Sequence, residues 1–201
     1  MRDQILTKIE SMFMRYGIRS VTMDDIAREL GISKKTLYKF VDNKEDLITM
    51  ITTEHLRRER NIVDCIHIEA KDPIHEFINI VDHLIVQIQG MSQSTMYDLQ
   101  KYYKENWNSF ECFQREFVLN RVQENLKKGV EMGLYRSNIN VDIIARFYIS
   151  KPMTLLDEQL FPSKQFDKPT LLKNYLVYHI HGIATAKGLE LFHEYLNEKT
   201  T

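Results

Sequence analysis

Cysteine is scarce: Cys65 and Cys112 are the only two in 201 residues. They are too few and too scattered for a disulfide framework, and a reducing cytoplasm is the expected home. Long apolar runs are missing too. None approaches the ~20 residues that a membrane span needs, so no membrane partner is expected. The opening MRDQILTKIE carries charges among its apolar positions and does not read as a signal peptide. Charge of one sign is lacking, with 27 Lys and Arg against 28 Asp and Glu, a net −1. Residues 1–60 hold 12 cations against 10 anions, a net +2. Any case for nucleic acid therefore rests on where the cations sit.

Strand signals are absent. There is no Asn-Gly or Asp-Gly hairpin turn and no alternating β-branched run. The four prolines fall at breaks or inside one helix, where Pro152 predicts a kink. No internal repeat or low-complexity segment occurs. Enzyme signatures are missing as well: no Gly-x-Ser-x-Gly is present, and the Gly182–Gly188 stretch lacks P-loop spacing. His75 and His83 stand about two helical turns apart, ~12 Å, too far to share one metal. Neither enzyme chemistry nor a metal or cofactor is expected.

What is present is helical periodicity from end to end. Ile5, Leu6, Ile9, Met12, Phe13 and Tyr16 predict an amphipathic helix over Gln4–Tyr16. Thr22, with Asp25 three residues on, starts a second helix whose apolar face is Met23, Ile26, Ala27 and Leu30. Gly31 ends it, and Ser33 caps a short third helix over Lys34–Phe40. Leu37 of this third helix faces inward. Lys34, Lys35, Thr36, Tyr38 and Lys39 are left outside, and these are side chains that bond phosphates and base edges. Helix, glycine-containing turn and helix with that outward face are the pattern of a helix-turn-helix reader. The competing reading is a helical hairpin with a solvated lysine face. Lys44, a cation at the positive end of the next helix, favours an approaching phosphate.

The order Gly17, Thr22, Asp25-Ile26-Ala27, Gly31-Ile32-Ser33, Thr36-Leu37-Tyr38, Asn43-Lys44-Glu45 and Leu47 resembles the tetracycline-repressor (TetR) family of bacterial regulators. The resemblance covers roughly Ile5–Leu47. Val41 sits where many members carry Phe, and Ile9 where many carry Ala. The family implies a homodimer that binds double-stranded operator DNA and responds to a small-molecule effector. It also makes Lys44 a phosphate-contact position.

Beyond the head the sequence predicts a connector helix from about Lys44 past Leu56, then helices over Pro73–Gly90, Met96–Tyr103, Asn108–Met132, Val141–Phe161, Thr170–Ala186 and Leu189–Glu198. The fold class is thus all-α, about nine or ten helices in total. Residues 1–48 form the three-helix DNA-binding head, and residues 49–201 a helical ligand-sensing and dimerisation domain. DNA contacts fall to Thr22, Lys34, Lys35, Thr36, Tyr38, Lys39 and Lys44. An aromatic pocket is expected from Tyr103, Trp107, Phe110, Phe147 and Tyr148. The small-residue-rich penultimate helix offers a dimer face of Leu172, Tyr175, His179, Gly182, Ile183 and Ala186. The overall expectation is a cytoplasmic repressor released by its ligand. The alternative is a helical protein-interaction or ligand-carrier protein without specific DNA binding.

Overall fold

The structure, a computed structural model, describes residues 2–155 and 157–199. The side chains of residues 2, 3, 93 and 151–153 lie outside the described set, and with them the kink expected at Pro152. Among the described residues the helices are α1 (Arg2–Tyr16), α2 (Met23–Leu30), α3 (Lys34–Leu37), α4 (Lys44–Glu69), α5 (Pro73–Ile88), α6 (Gln93–Tyr102), α7 (Lys104–Phe113), α8 (Leu119–Glu131), α9 (Val141–Leu155), α10 (Lys168–Ile183) and α11 (Ala186–Glu198). A single π-helical turn, Gln114–Val118, joins α7 to α8. Counted as one, that continuous run leaves ten helices, within the expected number. The only β feature among the described residues is an isolated bridge between Tyr135 and Ala184.

The helices group into two compact units. One holds the chain up to Asn61 together with Gly90–Phe113; the other holds Ile62–Gln89 and everything from Gln114 on. The packing therefore divides the chain later than residue 48, and it gives α6 and α7 to the head. The reason lies in their side chains. Leu99 and Tyr103 pack against the head core of Ile9, Phe13, Ile26, Leu37, Leu47 and Ile48. Thr95 donates its hydroxyl to the Phe13 carbonyl at 3.0 Å.

The arginine run after residue 56 is spent on ion pairs rather than on a second basic patch. Arg57 pairs with Glu54 at 2.6 Å, and Arg58 pairs with Glu10 of α1. His55 Nδ1 lies 2.6 Å from the same Glu10, so α4 is fastened to α1 along two turns.

In the C-terminal unit, Asp72 caps α5 by accepting from the N–H groups of Ile74 and His75 at 2.8 and 3.0 Å, with Pro73 at the first helical position. The core is built from Ile74, Ile78, Leu126, Leu134, Tyr135, Ala145, Ile180 and Phe192. Gly129 is required by the Tyr135 ring, since a Cβ there would lie 2.0 Å from it.

Two boundaries depart from the sequence reading. Helix α9 stops at Leu155 rather than Phe161, because the Asp157 carboxylate turns back to accept the Gln159 N–H at 2.8 Å and opens a turn. The break between α10 and α11 falls at Ala184–Thr185, not at Gly188. Thr185 caps α11, accepting the Gly188 N–H at 3.2 Å while its hydroxyl donates to the Gly133 carbonyl at 2.7 Å. Gly188 lies inside α11, pressed against the Leu134 carbonyl where a Cβ would stand at 2.1 Å.

Candidate nucleic-acid interface

The head begins with a reciprocal cap. Thr22 Oγ1 accepts the Asp25 N–H at 3.1 Å, and Asp25 Oδ2 accepts the Thr22 N–H at 3.0 Å. The Thr22 hydroxyl, which donates to Asp25 Oδ2 at 2.6 Å, and next the Thr22 N–H hold the Asp25 carboxyl below its usual range. Gly31 closes α2 with φ 67°, a conformation most side chains resist. Ser33 Oγ then accepts the Thr36 N–H at 3.0 Å and starts α3.

Helix α3 is shorter than Lys34–Phe40. After Leu37 the chain tightens, with Lys39 N–H donating to Thr36 at 3.2 Å and Phe40 N–H to Leu37 at 3.0 Å. Such i→i+3 turns are the usual end of a short helix. Leu37, 3% exposed, anchors the element in the core. Lys34, Lys35, Tyr38 and Lys39 stand outside as expected, and Thr36 is partly covered. Lys35 and Lys39 have no carboxylate partner among the described residues, whereas Lys34 pairs with Asp24 at 3.0 Å. That hydrogen bond raises the Lys34 pKa.

Phe40 joins this surface at 70% exposure. The sequence reading did not single it out. The signal was available: with Leu37 and Val41 inward, the residues between them must face out.

Lys44 differs from expectation. Its ammonium is drawn back to donate to the carbonyls of Ile18 and Val21, fastening the loop before Thr22 to the start of α4. Burial, foremost, lowers its pKa, with the neighbouring Arg19 acting in the same direction and Asp98 and Asp25 opposing.

The expected ligand residues fall in both units. Tyr103, Trp107 and Phe110 belong to the head unit, Tyr103 against its core and the other two stacked at 5.6 Å. Phe147 is 56% exposed. Of the five, only Tyr148 packs into the interior of the C-terminal unit, edge-on to Phe77 at 4.7 Å. Consecutive helical residues diverge by about 100°, so Phe147 and Tyr148 cannot share one wall.

The expected dimer face is also redistributed. Leu172, His179 and Ile183 are buried within their own unit and Tyr175 is half-buried, so that stripe serves the core. Gly182 and Ala186 remain exposed, and beside them Val177 is 40% and Tyr178 78% exposed.

No helix among the described residues is long and apolar enough to cross a membrane. No group of three or more His, Cys, Asp or Glu among them is placed to hold a metal ion.

Residues 5–51 match the family model described as bacterial regulatory proteins, tetR family. The chain is 26% identical over 190 residues to the uncharacterized HTH-type transcriptional regulator YvaF of Bacillus subtilis, covering 91% of this chain and 95% of that protein. It is 23% identical over 199 residues to the HTH-type transcriptional repressor KstR2 of Mycolicibacterium smegmatis, covering 93% and 92%. Its fold matches the crystal structure of FadR from Bacillus subtilis in complex with stearoyl-CoA, with a TM-score of 0.67, 14% identity, and coverage of 91% and 100%. Residues 5–51 thus carry a helix-turn-helix head that fits the tetR-family model, and the relatives that the chain resembles over nearly its whole length are HTH-type transcriptional regulators.

Proposed function

We propose that the protein is a repressor that grips operator DNA as a homodimer and lets go when a small molecule enters its C-terminal unit. One observation carries the DNA part: Leu37 holds a short turn in the core while Tyr38 stands outward and Lys35 and Lys39 stand outward without a carboxylate partner among the described residues. Lys35 and Thr36 are assigned to base edges or nearby phosphates, and Tyr38 and Lys39 to the backbone, with Lys34 sharing its charge with Asp24. Thr22 lies beside a phosphate while capping α2. Lys44 acts on DNA through the loop it fastens.

The exposed edge of α10 and α11, with Val177, Tyr178, Gly182 and Ala186, supports the homodimer. Two heads on a dimer meet half-sites about one DNA turn apart, roughly 34 Å or a multiple. A ligand that prefers one head spacing shifts DNA affinity by the same coupling free energy. The stearoyl-CoA complex of the structurally similar FadR supports a ligand site in such a fold. The cytoplasm is the proposed location, and gene control rather than turnover the proposed activity.

The test is fluorescence anisotropy with the duplex upstream of the chain's own coding sequence, with and without a metabolite extract. Sequence-selective binding that the extract weakens supports the repressor. Equal weak binding to every duplex contradicts it.

A further inference from the structure

Helix α10 places Tyr175 and His179 one turn apart on its inner face. Opposite them stand Tyr148 of α9 and Phe77 of α5. The His179 ring lies 4.2 Å from that of Tyr148, 5.2 Å from Phe77 and 5.8 Å from Tyr175, centroid to centroid. His179 is only 9% exposed, and its buried Nε2 has no hydrogen-bond partner. An unmatched buried polar atom is costly and uncommon in native interiors. The hydroxyls of Tyr148 and Tyr175 likewise bond to no described residue. Burial pushes the Tyr148 phenol well above its ordinary value, while part of the residue's surface stays uncovered. Apolar walls with a few convergent polar tips are the usual make-up of a small-molecule site.

We infer that this cluster takes an uncharged, flat, largely apolar molecule whose hydroxyl or carbonyl group bonds His179 Nε2 while its body lies against Phe77, Tyr148 and Tyr175. A neutral imidazole has one donor and one acceptor nitrogen, so it serves either group. Anions are disfavoured. Burial alone lowers His179 to about 4, no cation acts on it, and the nearby Glu76 acts on Tyr148. Protonating such an imidazole at pH 7 to meet a carboxylate costs a factor of about a thousand. The inference rests on the effector-binding half of the proposed function and gives that effector its chemistry.

The test uses matched probes, 2-naphthol and 2-naphthoate, at pH 7 on the full chain with 15N-labelled histidine. The expected result is that naphthol shifts the His179 ring-nitrogen resonance and binds at least ~10-fold tighter than naphthoate, about what one net hydrogen bond supplies. His179→Gln assigns the resonance and removes the preference. Should that variant not fold, nuclear Overhauser effects from naphthol to the Tyr148 and Tyr175 rings in wild-type protein read the same contact. Naphthoate binding as tightly as naphthol, naphthol binding with His179 unmoved, or water alone at Nε2 with neither probe bound overturns the inference. Anisotropy with the upstream duplex separates the two readings. Naphthol seated at His179 with DNA affinity unchanged upholds the site and removes its role in release.

Discussion

Asp98, buried in α6, accepts the backbone N–H of Arg19 at 2.9 Å across 79 residues of sequence. The loop between α1 and α2 is therefore held from two sides, by Asp98 and by the Lys44 ammonium. Asp98→Ala leaves the Arg19 N–H without that partner. A loss of about 1–3 kcal/mol in a urea melt is expected, with faster hydrogen exchange at the Arg19 amide. An unchanged midpoint would show that α6 is not part of the head's support.

Lys44→Met separates support from contact. The side chain keeps its length and loses its two carbonyl partners, so thermal stability should drop by several degrees while the salt dependence of DNA binding keeps its slope. A slope reduced by about one per head would restore Lys44 to the phosphate contacts.

His179 makes stability depend on pH with a definite sign. Its folded value of about 4 lies below the ordinary 6.5, so the unfolded chain takes up the proton first. The contribution is fully present above pH 6.5 and is lost as pH falls toward 4. Roughly 3 kcal/mol is at stake. The difference in unfolding free energy between wild type and His179→Phe, followed from pH 7 to 4, should shrink in favour of the variant. A constant difference would mean that the imidazole is not desolvated.

Two substitutions distinguish interface from core on α10. Tyr178→Glu, at a position 78% exposed, should give folded monomers by light scattering and weaken DNA binding. Ile183→Glu, at a position 3% exposed, should unfold the C-terminal unit instead. A folded Tyr178→Glu dimer would move the interface elsewhere.

Helix positions were legible in the sequence because each has an apolar stripe and a stop: Gly31, Pro73, Gly133. The cap at Thr22 and the outward face after Ser33 were legible for the same local reasons. What was not legible depends on partners distant in sequence. Leu99 and Tyr103 reveal that one face of α6 and its end is buried, but not that the head buries it. The stripe Leu172, Tyr175, Leu176, His179 and Ile183 reads equally as core or as dimer seam, and it is core. Lys44 shows a positive charge at a helix start. Only the folded loop supplies the Ile18 and Val21 carbonyls that claim it. The π turn at Gln114–Val118 leaves no trace, since Phe110, Phe113 and Phe117 keep the apolar pattern running through it.

In the proposed repressor the turn carrying Lys35 and Lys39 lies against DNA. Its most direct test is the salt dependence of binding to the upstream duplex, measured by anisotropy for wild type and for Lys39→Ala. A log–log slope shallower by about one is expected for each head that loses a phosphate contact, with folding stability unchanged because Lys39 is exposed. An identical slope and identical affinity would place that turn away from the nucleic acid.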